Sequence, residues 1–153
     1  MPLDPELDLV IRPLRRADEP AWRALWTAYL AYYETVLPDA IYTSTFERLL
    51  KDDPIEFHGL VAVLDGEPVG LVHFVFHRTC WSIEDTCYLQ DLFVAPSVRG
   101  RSVGRALIEA VYRAADAAGN PEVYWQTQHF NAAGRRLYDR VGRLSDFIIY
   151  ERS

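Results

Sequence analysis

The sequence predicts a single mixed α/β domain with elements in the order β-α-α-β-β-β-α-β-α-β. Three observations carry that prediction. Short apolar, strand-like runs are interleaved with stretches whose apolar residues recur at spacings of three and four. The later helical stretches lie between strands, as crossover connections between parallel neighbours do. The 153 residues contain no repeat, low-complexity tract or Gly/Ser linker, so one domain spans 1–153.

Leu9-Val10-Ile11-Arg12-Pro13-Leu14 reads as a short strand stopped near its proline. Ala17-Asp18-Glu19-Pro20 opens a helix, with Asp18 or a neighbour as cap and Pro20 in the first turn. Trp22, Leu25, Trp26, Tyr29, Leu30 and Tyr33 then form its apolar stripe. A second, shorter helix is expected over Thr43 to Lys51, with Phe46, Leu49 and Leu50 inward. His58 to Leu64 and Pro68 to His77 read as strands joined at Asp65-Gly66, a hairpin dipeptide. Tyr88 to Ala95 is the next strand. Val103, Leu107, Ile108, Val111 and Ala115 mark a long helix ending near Gly119. Glu122 to Thr127 is read as a strand, Asn131 to Val141 as a helix, and Phe147 to Glu151 as a final strand.

Composition excludes several classes. Half the residues are hydrophobic and a quarter charged, and 4 Trp, 9 Tyr and 7 Phe supply enough apolar bulk for a folded core. No apolar run is long enough to span a bilayer, so no membrane partner is expected. Met1-Pro2-Leu3-Asp4-Pro5-Glu6 is acidic and proline-broken, unlike a secretory leader. Cys80 and Cys87 make no disulfide framework and no zinc-type spacing, which places the chain in the cytoplasm with reduced thiols. The net charge is −6, unevenly spread: residues 1–91 hold sixteen acids against seven bases, and residues 92–153 hold six against nine. That split suits separate handling of a cationic and an anionic partner, or is simply surface composition. With no basic stripe and an acidic total, nucleic acid is not expected as a partner.

The most informative segment runs from Leu89 to Leu107. A hydrophobic strand enters a turn, Arg99-Gly100-Arg101-Ser102-Val103-Gly104-Arg105, that leads directly into a helix. Unpaired N–H groups and the helix dipole at such a start favour an anion, glycines let a ligand approach the backbone, and three arginines add charge. A pyrophosphate site is expected there. A phosphate-binding loop of the Gly-x-x-x-x-Gly-Lys type is excluded for want of its lysine, and a dinucleotide fingerprint by the glycine spacing.

Arg99-Gly100-Arg101-Ser102-Val103-Gly104 resembles the Arg/Gln-x-x-Gly-x-Gly/Ala acetyl-CoA signature of the GNAT (GCN5-related) N-acetyltransferases. Asp91-Leu92-Phe93-Val94-Ala95-Pro96 resembles the family's preceding strand. Asn131 to Gly142, with Tyr138 seven residues after Asn131, resembles its later signature. Ser102 departs from the pattern, since glycine is usual there. Trp81 with Tyr88-Leu89-Gln90-Asp91-Leu92-Phe93-Val94, and Tyr29, Tyr32, Tyr33 and Glu34, look like the spermidine/spermine and small histone or amine acetyltransferase branch.

The resemblance implies a GNAT-like mixed sheet of six to seven strands with flanking helices, and an acetyl-CoA-dependent N-acetyltransferase working on a primary amine, above all a small cationic one such as a polyamine. It implies that Leu92, Phe93 and Val94 bind the pantetheine arm and that Arg99, Gly100, Arg101, Ser102, Val103, Gly104 and Arg105 bind the pyrophosphate. Asn131 would also bind the cofactor, and Tyr138 would give a proton to the leaving sulfur. The branch carries Glu where this chain has Gln90, and an amide cannot accept that proton usefully, so Gln90 is left to orient a water or the amine. Glu34, Glu84, Asp85, His73, His77 or a water relay stay open as the base. Tyr33, Glu34, Trp81, Glu84 and Asp85 are the expected cage for a cationic amine. No metal site is expected, because His73 and His77 share a strand face without a third ligand. A homodimer is implied by resemblance alone. Other readings are acetylation of a protein N-terminus, a basic peptide or histone, or an aminoglycoside, and, from another class, a non-catalytic acetyl-CoA-binding module.

Overall fold

In the computed structural model, which describes residues 8–153, a five-stranded sheet is sandwiched between two helical layers. The opening hexapeptide lies outside the described residues. The strands are β1 (Leu9–Pro13), β2 (His58–Leu64), β3 (Glu67–His77), β4 (Thr86–Val94) and β5 (Val123–Tyr124), side by side in chain order. The first four pair antiparallel, whereas β4 and β5 are parallel and joined through a helix, as the late crossover pattern predicts. Four helices flank them: α1 (Glu19–Tyr32), α2 (Asp39–Leu49), α3 (Val103–Ala117) and α4 (Ala132–Val141). None is long and apolar enough to cross a membrane among the described residues.

Each sheet face has its own core. Against α1 and α2 sit Trp22, Leu25, Phe46, Val61, Leu71 and Phe93; against α3 sit Ala62, Val72, Phe74, Cys87, Leu89, Leu107 and Val111. The period-two alternation of the strands feeds both layers, which is why their sequences read as nearly continuous apolar runs. Asp65 and Gly66 form the two-residue hairpin loop, both with positive φ (+50° and +83°), the pairing a primed turn demands.

Several boundaries move. A 3-10 turn, Arg16–Asp18, precedes α1, and the Asp18 carboxylate does not cap the helix: it accepts from Arg12 Nη1 and Nη2 and from the Arg15 amide. Helix α2 begins four residues earlier than its apolar spacing suggests, immediately after Pro38, whose extended backbone places Asp39 in the first turn. The strand expected over Glu122 to Thr127 keeps only Val123–Tyr124, because the chain leaves β4 at Trp125. The final strand expected over Phe147 to Glu151 does not form. A strand needs a neighbouring edge, and β5 offers only two residues of one; Phe147, Ile148, Ile149 and Tyr150 stand exposed. Among the described residues the sheet therefore has five strands rather than six or seven.

Candidate active site

Strand β4 carries the site because of one irregularity. His73 pairs with Asp91 and Phe74 with Leu89, so Gln90 is an extra residue, a bulge. The bulge reverses which parity faces which layer. Cys87 and Leu89 point into the α3 layer before it, and Leu92 and Val94 after it, while Phe93 faces α1. Gln90 is left at the surface of a cleft.

That cleft opens where β5 stops. Past Tyr88 and Tyr124 the two parallel chains part, and Tyr29, Tyr33, Leu89, Gln90, Leu92, Ile108, Trp125, Gln126 and Tyr138 line the space between them. On this side β4 has no strand beside it from Leu89 to Val94 among the described residues. Its backbone is an open edge, able to receive one extended ligand through main-chain hydrogen bonds.

The open edge leads into the expected turn. Gly100 has φ +80°, and Ser102, at the N-cap of α3, has φ +65° and ψ 13°. Both are left-handed, which explains why glycine is the better residue at the position Ser102 holds. The amides of Val103, Gly104 and Arg105 precede the first intrahelical bond, Ala106 N–H to the Ser102 carbonyl, and so have no partner within the helix. Gly104 is needed for a second reason: a Cβ there would come within 3.2 Å of Leu137 Cδ2 on α4 and 3.7 Å of Val94 Cγ2. Arg99 folds back over the Phe93 ring and donates from Nε to the Val94 carbonyl, Arg105 pairs with Glu109, and Arg101 is exposed. An open strand edge continuous with a left-handed turn and a helix start suits a long ligand ending in pyrophosphate.

Tyr138 lies in the cleft, edge-on to Trp125. Burial above all, with Tyr33 and Tyr32 nearby, raises its pKa, so the phenol holds its proton until a strong base develops beside it. Asn131 precedes α4 as its N-cap. Its Oδ1 accepts from the Gly134 amide at 3.2 Å and its Nδ2 donates to Thr127 Oγ1 at 2.9 Å, so its amide fixes where α4 starts.

Of the expected amine cage, only Tyr33 lines the cleft. Glu34 is exposed just past α1, and Trp81 (88% exposed) and Glu84 stand on the β3–β4 connection. Asp85 lines a separate hollow with Lys51, His58, Phe76 and Asn120. His77 is held by the Arg78 carbonyl and the Tyr124 hydroxyl, and the described residues contain no cluster of three His, Cys, Asp or Glu suited to a metal. Cys80 is exposed, and Cys87 is buried, its thiol pushed up to about 11 by that burial.

One hydrogen-bonded group was not legible as a group in the sequence, although His73 in it was among the candidate bases. Trp22 Nε1 donates to His73 Nε2 at 2.9 Å, and His73 Nδ1 lies 2.8 Å from Asp91 Oδ2. Trp22 fixes Nε2 as the acceptor, so Nδ1 carries the hydrogen and donates to Asp91. Burial first, then the nearby Asp91 carboxylate, drives the Tyr29 pKa far above its ordinary value. Tyr29 was legible as part of the α1 stripe but not as a cleft residue, because helical periodicity does not reveal what an aromatic hydroxyl touches.

A family model described as Acetyltransferase (GNAT) family matches residues 22–142. A D-amino-acid N-acetyltransferase of Saccharomyces cerevisiae is 37% identical over 147 residues, covering 95% of this chain and 91% of the yeast protein. An uncharacterized N-acetyltransferase of Bacillus subtilis is 29% identical over 145 residues, covering 92% and 94%. Among solved structures, an aminoglycoside N-acetyltransferase in complex with CoA superposes with a TM-score of 0.81 at 22% identity, covering 99% of both chains; it shares the fold.

Proposed function

From its membership of the acetyltransferase (GNAT) family, to which this chain belongs, we propose that it transfers the acetyl group of acetyl-CoA to the primary amine of a small molecule, with Tyr138 as the proton donor. The observation that carries this reading is the parting of β4 and β5, which makes one continuous groove from the open strand edge to the α3 turn with Tyr138 inside it. Acetyl-CoA supplies the thioester carbon that the amine attacks and the sulfur that leaves. The backbone of Leu92, Phe93 and Val94 holds the pantetheine arm, and the amides from Arg99 to Gly104, with Arg101 and Arg105, hold the pyrophosphate. The Tyr138 hydroxyl protonates the departing sulfur, which in a water-poor cleft is as poorly solvated as the phenolate it would leave behind.

The amine reading is narrowed by what lines the cleft. Tyr29, Tyr33, Gln90, Gln126 and Tyr138 present hydroxyls and amides, and no carboxylate reaches the cleft surface among the described residues. A polyamine brings a second cation that needs a carboxylate; a small amino acid brings one amine and a carboxylate that hydroxyl and amide donors accept. With the yeast relative described as a D-amino-acid N-acetyltransferase, this favours an amino acid over a polyamine. The reading includes a homodimer, supported by the exposed apolar run Phe147 to Tyr150, and a monomer mass in light scattering removes that part.

The test is thiol release from acetyl-CoA across D- and L-amino acids, spermidine, basic peptides and an aminoglycoside. Tyr138→Phe is expected to lower kcat on the best substrate by about 10²–10⁴-fold, the usual worth of a proton donor, with acetyl-CoA affinity by calorimetry unchanged. Unaltered turnover in Tyr138→Phe removes its role. Silence of the wild type across the panel, with acetyl-CoA bound, favours the binding-module reading instead.

A further inference from the structure

We propose that Gln90 and Gln126, one on each of the two parting chains, bind the carboxylate of the acceptor through their side-chain amides. They thereby decide which charge the acceptor carries beside its amine. The proposal rests on the acetyl-transfer reading and names the residues that select its substrate.

Register brings the two amides to one place. Cys87 pairs with Val123 and Tyr88 with Tyr124, so counting two residues on along each parallel chain sets Gln90 level with Gln126. The rings of Tyr88 and Tyr124 stack, with centroids 4.9 Å apart and planes 16° from parallel, so the last true pair presents its side chains on one face. The chains then separate, and Gln90 and Gln126 both line the cleft that opens between them. Neither side chain has a hydrogen-bond partner among the described residues, and both residues are exposed. The amides of Asn120 and Asn131 are by contrast committed inside the fold, to the Asp85 amide and to Thr127 and the Gly134 amide.

The charge balance of the cleft points to what the pair binds. No Asp, Glu, Lys, Arg or His lines it among the described residues, and burial above all raises the Tyr29 and Tyr33 phenols, so both are neutral hydroxyls at pH 7. A wall of neutral dipoles suits an acceptor whose own charges cancel, as the ammonium and carboxylate of an amino acid do. A second ammonium would stand there as an ion without a counter-charge. Two amides on separate chains can donate to the two oxygens of one carboxylate, which leaves the amine to point along the cleft toward Tyr138.

A glutamate at either position inverts the preference while keeping the shape. It exchanges two N–H donors for a negative charge, so an acceptor carboxylate is repelled and a second ammonium is paired.

The measurement is kcat/KM for three acceptors: the amino acid that the wild type uses best, the carboxamide of that amino acid, and spermidine. The proteins are wild type, Gln90→Leu, Gln126→Leu, Gln90→Glu and Gln126→Glu. The readout is each variant's acid-to-carboxamide ratio relative to that of wild type, in which the different basicities of the two amines cancel. The leucine variants are expected to lower the ratio by about 10–100-fold, the worth of a hydrogen bond to a charged group, with the loss in KM. The glutamate variants are expected to lower it further and to raise kcat/KM for spermidine by about tenfold. A glutamate that also took the amine's proton would speed both acceptors alike and leave the ratio unmoved. Acetyl-CoA affinity by calorimetry, expected within about threefold of wild type, shows that each variant is folded. A ratio within about threefold of wild type at either position, or equal losses on acid and carboxamide, overturns the proposal, because a side chain that only shapes the cleft does not tell the two acceptors apart. A wild type that acetylates spermidine and no amino acid overturns it as well, and leaves the acetyl-transfer reading standing. A wild type silent on every amine takes both down.

Discussion

The two sides of β4 are built to different standards. Toward β3 the strand is paired from Gly70–Val94 to His77–Thr86, and the layer beneath, with Trp22, Phe46 and Leu71 at 1%, 0% and 0% exposure, is closed to water. Toward β5 it is paired at two positions, and α4 buries no residue fully. A cleft is made here by stopping a sheet, beside a strand whose other edge is paired along its length. The seam between the two regimes holds Gln90, Asp91 and Tyr138.

The sharpest way to break that comparison is to remove bulk from each side. Trp22→Ala deletes a buried indole and strips His73 of its donor, and is expected to cost about 3–5 kcal/mol in urea unfolding. Phe147→Ala, at a site 81% exposed, is expected to change stability by less than about 0.5 kcal/mol. Similar losses at the two sites would mean that the trailing segment is packed and that the asymmetry is false.

The same asymmetry decided what the sequence could reveal. Strands β1 to β4, the Asp65-Gly66 hairpin and α3 were legible because packing on both faces forces an apolar pattern at the right period. The turn from Arg99 to Gly104 was legible because left-handed backbone and close approach demand small residues at fixed spacing. Phe147 to Tyr150 has the composition of a strand, but pairing is a property of the neighbour, and no pattern in that stretch reports how short β5 is. The bulge at Gln90 was hidden for a related reason, since one extra residue leaves Leu89 and Leu92 both apolar whichever layer each faces. The Trp22–His73–Asp91 chain joins residues far apart in sequence, and only the fold places them together.

A second contrast concerns charge. On the closed side, Asp18 is nearly buried and bound by both terminal nitrogens of Arg12, which ties β1 to the start of α1; Arg12 first, and also the Arg15 amide, hold its carboxyl below the usual carboxylate value. A lowered folded-state pKa contributes stability that is present above the unfolded value, near 4, and lost as pH falls through the folded one. Asp18→Asn is therefore expected to cost about 1.5–3 kcal/mol at pH 7, with the gap to wild type closing as both are taken below about pH 4. Glu109→Gln, which removes the exposed partner of Arg105 on α3, is expected to cost no more than about 0.5 kcal/mol. A gap for Asp18→Asn that persists unchanged into acid would show that shape, not charge, is what the clamp provides.

The smallest effect tests the turn where the two sides meet the expected pyrophosphate. Ser102 keeps a side chain at φ +65°, where an L-residue pays about 1–2 kcal/mol, while glycine would surrender about 0.5–1 kcal/mol more chain entropy on folding. Ser102→Gly is therefore expected to stabilise by about 0.5 kcal/mol, a rise of about 1–2 °C in Tm, less whatever the serine side chain's own contacts contribute. Gly100→Ala, at φ +80° with nothing within 4 Å of the added methyl, is expected to move the melt the other way, because only the backbone objects. Thermal melts of the two variants sharpen the picture from opposite directions. If Ser102→Gly melts below wild type while Gly100→Ala also falls, the serine is held by its contacts more strongly than the left-handed backbone resists it, and its presence in a glycine position is a specific fit to this turn.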